Sequence, residues 1–423
     1  MTVRVFIKSL GYGGVFVGEV VAAGVAPDPR VGKKVLVREV APGETVDVEI
    51  IKEAPKFILG RAVRIEAPCA DRTPPPCPKY GVCGGCDLQH LTLSVQRRLK
   101  TEMVRTMLGV QGKLHPTHGV TLLGDELPGL YYRRRVQLHL ARSGALGFYR
   151  AGTTDVVDIE RCFLADDAIN LALQKIRSLA VRLAPVIEMV IIEHHGEESV
   201  VVLRVREEFE PRRQAAVFDE MLLAVKPLIP NLIVRRRSET LVRQRRGEQI
   251  EAPDTTDSAG HFSQVNERAN GVLVQTVLGL VDGNEVTDLY AGAGNFALPL
   301  ARAGKSVTAV ELDPALVLAG TKAARDAGLE LRYHPLPCET FVERHSLGGC
   351  VVLDPPRAGA KEVVRHFDPK TTTQIIYVSC DLPSLTRDLK TLVERGYVFE
   401  RLFVVDMFPQ THHVETVAVL RGA

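Results

Sequence analysis

"TDLYAGAGNFALPLA", residues 287–301, leaves a run of strand-forming residues and enters a helix-forming one. Gly292 and Gly294 permit a tight turn and let a ligand approach the backbone, with a helix N-terminus just beyond. Nineteen residues after Gly292, "VELD" ends the next strand with Glu311, a carboxylate placed to hold both ribose hydroxyls. A dinucleotide site needs a third glycine so that the helix packs close behind the pyrophosphate. Ala297 stands there instead. The expected ligand has a ribose and no pyrophosphate, as S-adenosylmethionine (SAM) does.

The surrounding sequence supports an α/β reading. Helices are expected near residues 266–281, from 295, at 314–327 and at 383–395. Strands such as "SVTAVELD", "CVVLDPP" and "TQIIYVSC" alternate with them. Apolar strands alternating with helices make a mainly parallel sheet covered on both faces. "VVLDPPRAG" puts Asp354 at the carboxyl end of one strand, where open sheets bind ligands. "YVSCDLPSLTRDL" ends another strand with Cys380, beside Asp381. "FPQTHHVE" carries Glu415 into the last strand. A thiol, carboxylates and a ligand loop therefore converge on one sheet edge. Cys338 and Cys350 lack such company and read as structural. His412 and His413 lie close to Glu415 and could orient it, touch a ligand or cap the chain.

Upstream, residues 1–67 read as five short strands punctuated by "GYGG" and "APGE", the pattern of a small OB-like barrel. Residues 68–255 read as a mixed α+β domain, and 256–423 as the α/β domain. Within the middle stretch, apolar residues at Val95, Leu99, Met103, Val104, Met107 and Leu108 have helical spacing. This helix, 94–109, is a candidate to pack on the C-terminal domain. A further helix is expected over 166–184, and "RRRVQLHLARSGALGFYR" reads as a hairpin.

"CPKYGVCGGC" spaces Cys77, Cys83 and Cys86 as C-x5-C-x2-C. Glycines between them let the backbone wrap a bound centre. A fourth thiolate, Cys69 or Cys162, would close a zinc or iron–sulfur site. The five-residue spacing suits a cluster better than the paired C-x2-C of zinc.

The chain has 423 residues and a net charge of +2, with charged residues at 25%. Length alone suggests two or three domains. The basic residues are clustered. Residues 131–150 hold five arginines and no acid, and 233–250 hold six arginines against two glutamates. Clustered arginine suits a phosphate backbone; a solvated face neutralised elsewhere is the plainer alternative. No apolar run has membrane-spanning length and the start lacks a signal-peptide core, so a cytoplasmic protein with reduced cysteines is expected.

Taken together, these blocks resemble the RNA uracil-C5 methyltransferases, and most closely the branch acting on 23S ribosomal RNA with a TRAM barrel and a [4Fe–4S] cluster. "CPKYGVCGGCDLQH", "GFYRAGTTDVVDIERC", "FSQVN", "DLYAGAGNFALPLA", "LDPPRAG" and "FPQTHHVETVAVL" carry the similarity over nearly the whole chain. The resemblance implies a multidomain enzyme with Cys380 as nucleophile and Glu415 as base. It implies SAM contacts from Gln264, Tyr290, Gly292, Asn295, Glu311 and Asp354. It assigns the cluster to Cys77, Cys83, Cys86 and Cys162, leaving Cys69 free. Arg133, Arg134 and Arg135 would meet RNA. A monomer with no obligate protein partner is expected. The family usually has "SCNP" where this chain has "SCDL", and Phe is common where Tyr290 stands. Relatives often have an acid or Asn near the adenine, where "LPCET" offers Pro337 and Cys338. Alternatives are 5-methyluridine formation in the transfer RNA T-loop, 5-methylcytosine formation, or an inactive RNA-binding assembly factor.

Overall fold

The computed structural model describes residues 1–22, 28–196, 198–237, 239–249 and 264–422. The expected domain boundary at 255/256 and the first two residues of "FSQVN" lie outside them. The chain forms two compact units. One comprises residues 1–74, 90–127 and 268–423, the other 75–89 and 128–267.

In the first unit, β1 (Thr2–Leu10), β2 (Phe16–Val20), β3 (Lys34–Val37), β4 (Thr45–Glu53) and β5 (Phe57–Ile65) close a barrel in the order β1-β2-β3-β5-β4. Alternation drives it: Val3, Val5 and Ile7 of β1 are buried while their neighbours are not. Closure leaves no free strand edge. Helix α1 (Leu93–Thr106) follows, burying Val95, Leu99, Met103 and Val104. It belongs to this unit rather than to the intervening one. Its last turn loosens into a π turn, Met107–Gly112, and β6 (Val120–Leu123) comes next.

The second unit is built on β7 (Arg135–Leu140), β8 (Leu146–Tyr149), β9 (Val156–Asp158), β10 (Ile187–His195), β11 (Glu198–Val205), β12 (Leu232–Arg236), β13 (Glu239–Arg245) and β14 (Glu248–Gln249). They form one sheet in the order β14-β13-β12-β11-β10-β7-β8-β9. Helices α2 (Asp167–Ser178), α3 (Ala180–Leu183) and α4 (Ala215–Val225) belong to the same unit. The helix expected over 166–184 is interrupted at Leu179, between α2 and α3. Asp166 fixes where α2 starts by accepting the Ile169 N–H at 2.8 Å.

The first unit resumes with α5 (Glu267–Leu280), β15 (Glu285–Leu289), α6 (Ala297–Arg302), β16 (Ser306–Val310), α7 (Pro314–Asp326) and β17 (Leu331–His334). Then come α8 (Cys338–Arg344), β18 (Gly349–Leu353), β19 (Thr372–Ser379), α9 (Leu382–Glu394), β20 (Tyr397–Val405) and β21 (Glu415–Gly422). The sheet order is β17-β16-β15-β18-β19-β21-β20-β6. Strands β15 to β19 are parallel, and β21 runs antiparallel to both β19 and β20. β6, from far upstream, pairs with β20 in parallel. Cys350 to Leu353 are buried without alternation, as a strand covered on both faces requires. Helix α9 shows the opposite pattern and buries Leu382, Leu385, Leu389 and Leu392 along one stripe. No helix among the described residues is long and apolar enough to cross a membrane.

Candidate functional site

Register decides which side chains meet. Leu289 pairs with Val310 on one side and Leu353 on the other, and Leu353 pairs with Tyr377. Tyr290, Glu311 and Asp354 therefore leave the sheet side by side at its carboxyl edge. Ser379 pairs with Thr416 across the antiparallel ladder. One rung further brings Cys380 level with Glu415. The Thr416 hydroxyl donates to the Ser379 carbonyl at 2.8 Å and holds that rung.

The loop after β15 is tightly specified. Tyr290 sits at φ +62, a strained value for a side chain of its size, followed by Gly292 at φ +56 and Gly294 at φ +99. The Tyr290 N–H donates to the Cys338 thiol at 3.2 Å, and its hydroxyl to Glu339 at 3.1 Å. Glu311 accepts the Gly292 N–H at 2.9 Å and the Asp313 N–H at 2.8 Å, which aims its carboxylate at the loop. Asn295 exchanges amide hydrogen bonds with Asn270 of α5, at 2.9 and 3.2 Å. Gln264 is partly exposed and belongs to the second unit.

Charge at this edge is unbalanced. Both carboxyl oxygens of Asp288 and Oε1 of Glu415 are buried with no hydrogen-bond partner. The Ala297 N–H faces Asp288 and favours its ionised form, but falls short of a hydrogen bond. Burial pushes the Asp354 carboxyl up to about 7. Burial, reinforced by Asp354, holds Glu415 well above the carboxylate range, and Asp288 is raised likewise by burial, Asp354 and Glu311. The Cys380 thiol is pushed up to about 11 by burial first, then by Glu415 and Asp354, against the opposing charge of Arg357. Such a pocket favours a bound cation, which would compensate buried carboxylates.

The loop and helix that carry Cys380 are fixed by Asp388. It is fully buried and accepts the Tyr377 hydroxyl at 2.8 Å, the Ala360 N–H at 2.7 Å and Arg387 Nε at 2.8 Å. Thus α9 and the loop after "DPP" share one carboxylate. Asp288, Arg357 and Glu339 were not among the residues expected here. Asp288 lies inside the quoted 287–301 stretch, but only burial reveals its lack of partners. Glu339, one position beyond Cys338, is tied to the loop after β15 by accepting the Tyr290 hydroxyl.

The second unit gathers the other thiols. Cys162 acts electrostatically on Cys77, Cys83 and Cys86, and burial raises all three, Cys86 to about 12. Gly84 packs where a Cβ would lie 2.9 Å from the Tyr149 carbonyl oxygen, so only glycine fits between the two strand-like segments. Asn170 accepts the Cys162 N–H at 2.9 Å and donates back to its carbonyl at 3.1 Å. Among the described residues, no group of three or more His, Cys, Asp or Glu side chains has the arrangement of a metal site. Cys69 belongs to the first unit, where its N–H donates to Glu44 at 3.1 Å.

The three arginines after Tyr132 have separate surroundings. The Arg133 Nε is buried without a hydrogen-bond partner, and its charge interacts with Cys162 and Cys86. Arg134 is ion-paired with Glu267. Arg135 Nε lies 3.2 Å from the buried carboxylate of Glu193. Arg133 thus has Tyr132, Cys162 and Cys86 as electrostatic neighbours and Arg135 has Glu193, so contact of these arginines with RNA phosphates is a proposal.

Residues 342–422 match the family model described as tRNA (Uracil-5-)-methyltransferase. Relatives align along almost the whole chain. The 23S rRNA (uracil(1939)-C(5))-methyltransferase of Chromohalobacter salexigens is 36% identical over 94% of this chain and 86% of its own. That of Dechloromonas aromatica is 31% identical over 92% of this chain and 94% of its own. Among solved structures, the Pyrococcus abyssi tRNA (uracil-54, C5)-methyltransferase with S-adenosyl-L-homocysteine superposes with a TM-score of 0.71. It covers 99% of this chain and all of the other at 22% identity, a likeness of fold. A whole-length kinship at this identity, on a sheet edge that joins a thiol to buried carboxylates, places the chain in the RNA uracil-C5 methyltransferase family, in its ribosomal RNA branch.

Proposed function

We propose that this enzyme transfers a methyl group from SAM to C5 of one uridine in 23S ribosomal RNA, through a transient bond between Cys380 and C6. The observation that carries the reading is the neighbouring placement of Cys380 and Glu415 beside Asp354 at the sheet edge. Relatives that align over nearly the whole chain bear 23S ribosomal RNA names, which favours that substrate over transfer RNA.

The residues fit SAM. Glu311 holds the loop at Gly292 and keeps lone pairs for ribose hydroxyls. Tyr290 offers a ring, and Asn295 offers an amide. Buried Asp288 and half-buried Asp354 favour a cation. When bound, SAM supplies an electrophilic methyl on positively charged sulfur.

Uracil C5 is a poor nucleophile on its own. The Cys380 thiolate adds to C6, and the ring electron pair moves onto O4 as an enolate. C5 then takes the methyl as the sulfur–carbon bond breaks. Glu415 accepts the C5 proton, the C5–C6 double bond re-forms, and the thiolate leaves. The thiol must lose its proton for attack, and the charge of Arg357 favours that loss. A half-buried thiol at the sheet edge reaches C6 only if the uridine is unstacked, so a single-stranded or flipped base is required.

The cysteines of the second unit fit a [4Fe–4S] cluster held by Cys77, Cys83, Cys86 and Cys162. The orphaned Arg133 Nε beside them would gain an anionic partner. A cubane spreads its thiolates over four irons, so the tetrahedron of a single ion is not the geometry required. When bound, it would tie the 75–89 segment to Cys162. RNA is the expected partner, the protein acting as a cytoplasmic monomer.

The test uses radiolabelled SAM with unmodified 23S ribosomal RNA and, separately, transfer RNA. Label in a single 23S uridine as 5-methyluridine is expected. Cys380→Ala should bind SAM and form no covalent RNA complex; a complex that persists, or label confined to transfer RNA, sinks the reading.

A further inference from the structure

The "GYGG" turn joins β1 to β2 of the barrel and carries an aromatic ring at its tip. Gly13 at φ +87 and Gly14 at φ +72 reverse the chain there. Arg38 donates to the Gly13 carbonyl at 3.0 Å and braces the turn. The Tyr12 hydroxyl donates to Asp381 Oδ2 at 2.7 Å. The other oxygen, Oδ1, caps helix α9 by accepting the Ser384 N–H at 2.9 Å and the Ser384 hydroxyl at 2.7 Å. One carboxylate, next in sequence to Cys380, is thus divided between the barrel and the helix that follows the thiol. The Tyr12 ring also meets His412 edge-on, with centroids 6.1 Å apart at 83°.

We propose that Tyr12 is a positioning residue for the methyl transfer: its hydrogen bond holds Asp381 in the cap of α9, away from the Cys380 thiol, and makes the barrel part of the nucleophile's support. This rests on the reading of Cys380 as nucleophile.

The physical need is clear from the charges. Cys380 already faces Glu415 of β21 and Asp354 after β18, both of which oppose thiolate formation, with Arg357 of the next loop and Tyr12 as the other ionisable groups acting on it. His412 stands beyond the Tyr12 ring. A third carboxylate free to turn toward the thiol would make attack harder still. Burial would raise Asp381, but the hydrogen bonds from Tyr12 and Ser384 and the charge of Arg357 outweigh it and keep the group ionised and occupied. An asparagine at this position would cap the helix without a charge to be restrained. With aspartate, Oδ2 needs a donor, and the barrel supplies it.

The experiment compares Tyr12→Phe, Asp381→Asn and the double variant in the full-length protein. Iodoacetamide labelling of the Cys380 peptide is followed by mass spectrometry as a function of pH, with SAM affinity measured alongside. Tyr12→Phe should move the labelling profile up by about half a unit, seen as about threefold slower labelling below the midpoint. SAM affinity should not change. In the Asp381→Asn background the same Tyr12→Phe change should have no further effect. A Tyr12→Phe profile that superimposes on the wild type overturns the proposal, as do additive effects in the double variant or a parallel loss of SAM affinity. Labelling reads the thiol whether or not it is the nucleophile, so failure of the Cys380 assignment is seen separately, in the Cys380→Ala adduct assay.

Discussion

Lys100 Nζ lies 2.6 Å from Asp406 Oδ1, with both side chains 1% exposed, and Arg97 Nε shares the same carboxylate at 3.2 Å. Helix α1 thereby grips the segment that leads to Glu415. A second grip follows four residues on, where the Gln410 N–H donates to Gln96 at 3.0 Å and the Gln96 amide donates to Gln410 at 2.9 Å. Gln410 is held there at φ +68.

Removing the shared carboxylate should be costly. Asp406→Ala leaves two buried cations without their counter-ion, a class of change that costs about 3–5 kcal/mol. Lys100→Met should cost less, because Arg97 still engages Asp406. Urea unfolding of the two variants checks the order; equal losses would contradict it.

Glu415→Gln should separate methyl transfer from release. Without a base for the C5 proton, the Cys380–RNA complex should accumulate on denaturing gels while turnover falls by about 10²–10⁴-fold. In the wild type, turnover should rise with pH through neutrality. Glu415 and Cys380 are both raised by burial, and both must lose a proton to act. A turnover rate flat from pH 6 to 9 would contradict that.

Asp354 should weaken the folded protein as pH rises when SAM is absent. Its folded value of about 7 lies above the unfolded 3.8, so the folded state keeps a proton that the unfolded state releases. Its contribution to stability is present below the unfolded value and is lost as pH climbs toward about 7. Asp354→Asn should therefore gain on the wild type between pH 5 and pH 7.5 in urea midpoints. An offset that does not change with pH would refute this.

Cys162→Ser should lower iron content and visible absorbance of anaerobically purified protein and expose the 75–89 segment to protease, since ligation and folding are coupled. Cys69→Ser should leave iron unchanged. Stoichiometric zinc in place of iron would overturn the cluster assignment.

The 287–301 stretch, with its paired glycines and Glu311 nineteen residues beyond, was sufficient to read an α/β fold with a tight glycine turn after one of its strands. Those features are local: turn geometry and strand burial depend on neighbours in sequence. The placement of Cys380 and Glu415 at one sheet edge was legible because each stands at the end or start of a strand there. Less was legible where partners are remote. The pairing of β6 with β20 joins residues some 280 positions apart and leaves no periodic signal.

The arginine run after Tyr132 teaches the same limit. Composition marks it as basic, but only the fold pairs Arg135 with Glu193 and brings Arg133 near Tyr132 and the thiols. Asp381 is the sharpest case. By sequence it is an acid beside a thiol, able to hinder it. Tertiary structure turns its two oxygens to Tyr12 and Ser384. The residue types and their order pointed to the family and to an α/β domain with a thiol and carboxylates at one sheet edge. Which charges are paired, buried or left unpaired was decided by packing alone, because desolvation and hydrogen bonding depend on neighbours that the chain brings together only when folded.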